Sequence, residues 1–206
     1  YYNNGTWTSF IGDEYRKEKG IVGVTTGINT AAFSKDIPSG YKFVGWKEAT
    51  SDSSYASTST TYSVKLESGG NKVYAVYEKK DVKLTLKAVN TNGTTLSSVF
   101  EDQTKTVKYD ETASIQRWAD KDNYKFVCFK VATSASATKS ASCVGTDSSS
   151  GAYMSGSAGS ETINVKNLTS NGTVYAVYGR FTLTVEARDI YSNNKITAGA
   201  TSTKIS

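Results

Sequence analysis

Leu84, Leu86 and Ala88 alternate with Lys83, Thr85 and Lys87. A period of two marks a half-buried strand, because successive side chains of an extended chain point to opposite faces. Tyr62, Val64 and Leu66 alternate with polar residues in the same way. Tyr41-Lys42-Phe43-Val44-Gly45-Trp46-Lys47 differs: Phe43 and Val44 fall on opposite faces, as do Tyr41 and Trp46. A strand apolar on both faces is expected at the centre of a sheet. Val22 to Thr26 and Thr106 to Tyr109 read as further strands. Asn4-Gly5, Pro38-Ser39-Gly40, Gly69-Gly70-Asn71 and Asn92-Gly93 supply the turns between such segments. Ser114 to Lys121 predicts one short helical turn.

The patterns repeat. Tyr124-Lys125-Phe126-Val127-Cys128-Phe129-Lys130 is a second copy of the Tyr41 segment, and Val174-Tyr175-Ala176-Val177-Tyr178 is a second copy of Val73-Tyr74-Ala75-Val76-Tyr77. Two matched pairs in one order predict a duplicated, mainly β domain with at most one short helix per repeat. Gly23 to Thr26 and Thr106 to Tyr109 stand at the same distance before the two copies, so they are expected to correspond. The first repeat spans 1–80 and lacks an initial strand. The second spans 81–180 and carries a Ser/Ala/Gly-rich insertion near 131–161, by composition a flexible surface loop. Phe181 to Ala187 matches Val82 to Ala88, so 181–206 reads as the orphan first strand of a further repeat.

Composition narrows the function classes. Tyr, Ser, Thr, Gly and Asn are plentiful and Pro occurs once, which suits β-structure with many turns. The net charge of +5 is mild. Lys83, Lys87, Lys105 and Lys108 alternate with other residues instead of clustering, which favours solvated strand faces over a nucleic-acid patch. There is no His, and neither Cys128 nor Cys143 belongs to a CxxC pair, so the usual Cys/His zinc sites are excluded. No phosphate-binding signature or EF-hand spacing is found. No apolar run is long enough to span a membrane, so direct membrane insertion is not expected. An enzyme is not expected, nor any cofactor: without histidine neither cysteine has the base a catalytic thiol needs.

The chain resembles the Listeria–Bacteroides surface repeat, the internalin B-repeat-like family of bacterial cell-surface proteins. Gly40-Tyr41-Lys42-Phe43-Val44-Gly45-Trp46 with Val73 to Tyr77 carries the resemblance. So do Thr106-Val107-Lys108-Tyr109-Asp110-Glu111, Tyr124 to Phe129 and Val174 to Tyr178. The second repeat departs from the family's Gly-Trp at Cys128 and Phe129. The resemblance implies β-grasp-like modules in secreted or wall-attached proteins, serving as extracellular spacers or adhesive stalks without catalysis.

Candidate sites follow. Cys128 and Cys143 are expected to form a disulfide that pins the insertion to a strand; the alternative is one buried and one exposed thiol. The aromatic set Tyr41, Phe43, Trp46, Tyr74 and Tyr77 is read as core, against a sugar-stacking platform. Loops 48–61 and 131–161 are the places for binding, because loops vary while strands hold the fold. Partners are neighbouring copies or adjacent repeats, with a host surface protein or glycan as the other class. Strand donation by Phe181, Leu183, Val185 and Ala187 into the N-terminal repeat of another copy is expected to build a head-to-tail filament. The alternative is a segment cut from a longer tandem array.

Overall fold

The computed structural model describes residues 2–3, 6–7, 21–35, 37–180 and 191–192. Over these the fold is mainly β. Six strands precede residue 80: β1 (Tyr2–Asn3), β2 (Thr6–Trp7), β3 (Thr25–Asn29), β4 (Tyr41–Lys47), β5 (Thr61–Lys65) and β6 (Tyr74–Lys79). Seven follow: β7 (Asp81–Asn90), β8 (Gln103–Lys108), β9 (Glu111–Gln116), β10 (Tyr124–Val131), β11 (Ala152–Ser155), β12 (Thr162–Leu168) and β13 (Gly172–Arg180). Two short 3-10 turns, Thr30–Phe33 and Ser136–Lys139, are the helical elements among the described residues.

The main sheet runs β10-β13-β7-β8. β13 is antiparallel to β10 and parallel to β7, and β7 is antiparallel to β8. The apolar run Val174 to Tyr178 is buried on both faces, as a central strand must be. A smaller sheet, β11-β12-β9, covers one face. Leu84, Leu86, Phe129, Val174, Ala176 and Tyr178 meet Ala113, Ile115 and Ile163 there and form the principal core. On the opposite face Val89, Cys128, Tyr175 and Val177 make a second, smaller core with Ala132 and Ala135 of the insertion.

The matched segments pair in matched register. Phe43 lies opposite Tyr77, and Phe126 opposite Tyr178. Both ladders then skip one residue, so that Gly45 faces Val76 and Cys128 faces Val177. The skipped residues, Val44 and Val127, are β-bulges. This corrects the expectation of a central, two-faced strand. The bulge resets the alternation and returns Trp46 to the face of Phe43, with ring centroids 5.5 Å apart. β10 itself is an edge strand of the main sheet, and its bulged Val127 is exposed.

Two other expectations are corrected. Ser114 to Lys121 forms no helix: Ala113 and Ile115 alternate into the core as part of β9, which ends at Gln116. Gly23 to Thr26 is not the counterpart of Thr106 to Tyr109. β3 pairs with β5, setting Asn29 opposite Thr61, as β9 pairs with β12, setting Gln116 opposite Thr162. Thr61 and Thr162 each stand twelve residues before Val73 and Val174, so β3 answers to β9. The spacing differs because the Thr30–Phe33 turn, capped by the Asn29 side chain, lies between β3 and β4.

One residue, Lys80, joins β6 to β7. Its amide donates to the Gly40 carbonyl at 2.8 Å, its ammonium donates to the Ser39 carbonyl at 2.6 Å, and its carbonyl accepts from the Tyr109 amide at 2.8 Å. Tyr109 packs flat on Gly40, where a Cβ would come within 2.2 Å of the ring.

Candidate functional site

Each repeated hairpin carries a loop folded back against its outer edge. Beside β4 the Ala56 amide donates to the Trp46 carbonyl at 2.8 Å, and the Trp46 amide donates to the Ser57 carbonyl at 2.7 Å. The indole of Trp46, almost fully buried, donates to the Ser59 carbonyl at 2.9 Å. Beside β10 the Val144 amide donates to the Phe129 carbonyl at 2.8 Å. Trp46 and Phe129 hold the same register position, opposite Ala75 and Ala176. Both loops therefore satisfy the same backbone group of an edge that would otherwise be open to another strand.

The residue before each donating amide then differs. Next to β4 it is Tyr55, whose ring lies over Gly45. Next to β10 it is Cys143, bonded to Cys128 with the Cα atoms 5.7 Å apart. Cys128 is buried in the smaller core, and Cys143 lies at the surface. The disulfide thus sits where the first hairpin has a tyrosine on a glycine. A disulfide is the product of a non-reducing compartment, as in secreted proteins.

The insertion is more built than its composition suggests. It contains the 3-10 turn Ser136–Lys139, and β11 pairs in register with β12. Lys130 reaches across to donate to the Thr138 carbonyl at 2.8 Å. Lys166 donates to the Ser148 carbonyl, and its ammonium lies 5.3 Å from the centre of the Tyr153 ring.

Sequence reasoning missed Arg117. It is 8% exposed and follows β9 into the core. Its guanidinium donates to Glu161 at 2.6 Å, to Asp120 at 3.0 Å and to the Trp118 carbonyl at 2.8 Å, and it stacks 4.9 Å from the Phe126 ring centre. Asp120 also accepts from the Phe126 amide at 3.0 Å. That bond, helped by Arg117, holds the Asp120 carboxyl below the usual carboxylate range. Burial is the largest influence on Glu161 and would raise it, but the Arg117 hydrogen bond and charge together with backbone amide bonds, including that from Gly159, outweigh it and the group is lowered. The Tyr178 hydroxyl donates to the Trp118 carbonyl at 2.8 Å, and burial pushes its pKa up to about 12. These groups form a closed structural network: every buried side-chain polar atom among the described residues has a partner.

The aromatic set divides. Trp46 and Tyr77 are buried, whereas Tyr41, Phe43 and Tyr74 are half-buried. Tyr41, Phe43, Tyr77, Asn29 and Lys80 line an open groove of about 510 Å³. The corresponding place beside Tyr124 and Tyr178 is filled by Phe100, stacked 4.4 Å from Tyr178, with Trp118 behind it at 5.6 Å. Lys87, half-buried, and Lys108, exposed, pair with Asp102 and Asp81 at 2.8 and 2.7 Å. Among the described residues no group of three or more His, Cys, Asp or Glu is arranged to hold a metal ion. No helix among them is long and apolar enough to cross a membrane. Phe181, Leu183, Val185 and Ala187 lie outside the described residues. The chain matches no protein-family model, no curated protein and no solved structure.

Proposed function

We propose that this chain is a structural and adhesive segment of an extracellular bacterial surface fibre, stalk or adhesin, of the Listeria–Bacteroides surface-repeat type. The observation that carries the reading is the pair of hairpins with one register and one bulge, set in tandem across a single tied residue. Tandem modules with tight junctions are how a chain gains reach. The β10-β13-β7-β8 order, with the first and last strands of the unit parallel, supports a β-grasp-like module. The disulfide supports an extracellular setting.

In this reading copies join head to tail by strand donation. β7 lies parallel to β13 with Leu86 opposite Val174 and Ala88 opposite Ala176. Phe181 to Ala187 matches Val82 to Ala88, and Val73 to Tyr77 matches Val174 to Tyr178. The same register between copies sets Val185 opposite Val73 and Ala187 opposite Ala75.

Sizing and electron microscopy of the purified chain, beside a chain ending at Arg180, test this. The full chain is expected to form end-to-end oligomers and the shortened one to stay monomeric. Monomers in both cases, or oligomers that survive the truncation, overturn the donation step.

A further inference from the structure

We propose that β7 and β13 form a shear clamp that carries tension along the chain. The chain enters the second unit at Asp81, the start of β7, and leaves it at Arg180, the end of β13. These two strands are neighbours and parallel, so the points of entry and exit lie at opposite ends of one ladder. Tension on the chain draws β7 toward its start and β13 toward its end. The two strands are pulled past each other along their length.

In that geometry the load falls on the whole ladder at once. Seven residue pairs, from Gly172 opposite Leu84 to Tyr178 opposite Asn90, share it. An antiparallel pair entered and left at the same end would open one bond at a time. The ladder is also shielded from water, which competes for strained hydrogen bonds. Leu84, Leu86 and Ala88 of β7, with Val174, Ala176 and Tyr178 of β13, face the principal core. Val89, Tyr175 and Val177 face the smaller core, which the insertion covers. The Cys128–Cys143 bond lies off this path and does not bear the load until the clamp has failed.

The junction passes the force on without slack. Lys80 is the whole connection between β6 and β7, and its backbone and ammonium are tied to Ser39, Gly40 and Tyr109. The clamp deepens the stalk reading and rests on it only for its use; the mechanical property belongs to the single chain.

Single-molecule pulling on the full chain tests it in two geometries. One attaches handles at both termini. The other attaches them at the N-terminus and at a non-natural azido residue in place of Ser170, an exposed position before β13. The second geometry peels the ladder from the Gly172–Leu84 end. Unfolding of this unit is identified by the disulfide. Its sequence separation of 15 hides that much chain, so a reductant lengthens the event by about 50 Å. The rupture force is expected to be several-fold higher between the termini than through Ser170. Equal forces at one pulling speed overturn the clamp. That result leaves end-to-end assembly standing, just as a monomer in sizing leaves the clamp standing.

Discussion

The ring of Tyr55 covers Gly45 so closely that a Cβ on Gly45 would lie 2.6 Å from its Cγ. Tyr55 precedes the amide that bonds Trp46, and Cys143 precedes the amide that bonds Phe129. Gly45 and Cys128 share a register position. One site on the hairpin has thus been closed in two ways, by a ring on a glycine and by a covalent bond. Gly45→Cys with Tyr55→Cys should reproduce the second solution in the first hairpin, since a Cβ on Gly45 would lie 2.6 Å from the Tyr55 Cγ, which is one bond from the Tyr55 Cβ. Peptide mapping of the oxidised protein should find the two introduced thiols linked to each other, beside the native bond. Free thiols at both substituted positions would count against the equivalence.

Gly45→Ala alone should be destabilising. The new methyl group meets the Tyr55 ring at 2.6 Å and the Ser57 carbonyl at 2.9 Å. Overpacking of this kind costs about 1–3 kcal/mol. Tyr55→Ala added to it should recover part of the loss, because the ring is the nearer obstacle. Urea melts of the four proteins of the cycle read this directly; strictly additive effects would show that the ring yields without cost.

Removing the native bond tests what the disulfide does for the second hairpin. Cys128→Ala with Cys143→Ala frees a loop of sequence separation 15, which the chain-entropy account values at about 3 kcal/mol. The double variant should melt earlier, and protease should cut first within 132–151. A melting curve that matches the parent protein would show the loop to be held by its other contacts alone.

Much of this was legible in the chain and some was not. The alternation in β7 and the matched hairpin strands appear directly as strands, and the two cysteines as a pair. The bulge was hidden because two adjacent valine-containing faces look the same whether a strand is buried twice or resets its pleat. Exposed Val127 and buried Phe129 on an edge strand decide it. Ile115 and Trp118 mimic a helical spacing, yet Ala113 and Ile115 carry the strand's period. β11 has only Ala152, Tyr153 and Met154 among serines and glycines, too few residues to show a period. Arg117 left no signal, since its partner Glu161 is 44 residues away. A charge is read as exposed unless its partner is known.

The junction offers its own test. Gly40→Ala drives a methyl group into the Tyr109 ring, 2.2 Å from its nearest atom. A loss of about 1–3 kcal/mol is expected, with increased protease sensitivity near Lys80. Tyr109→Ala should be milder and should make the glycine replaceable. If Gly40→Ala is harmless on its own, the ring moves aside freely and the junction is looser than its hydrogen bonds suggest.

The Arg117 network sets an acid limit. Asp120 and Glu161 both have carboxyls lowered in the folded protein. A lowered folded value means that the unfolded chain binds protons more readily, so stability is full above the ordinary carboxylate range and falls as pH drops through and below about 4. Arg117→Met removes the strongest lowering influence on Glu161 and a secondary one on Asp120, whose bond from the Phe126 amide remains, and leaves Glu161, with a side chain 17% exposed, against a side chain that cannot pair with it. The carboxylate left behind is partly exposed and keeps its bond from the Gly159 amide, so losing the pair costs about 1–3 kcal/mol at neutral pH. The variant should therefore be weaker at pH 7 yet lose less on acidification than the parent. Thermal melts of both proteins between pH 7 and pH 3 compare the two slopes, and parallel slopes would place the acid-sensitive groups elsewhere.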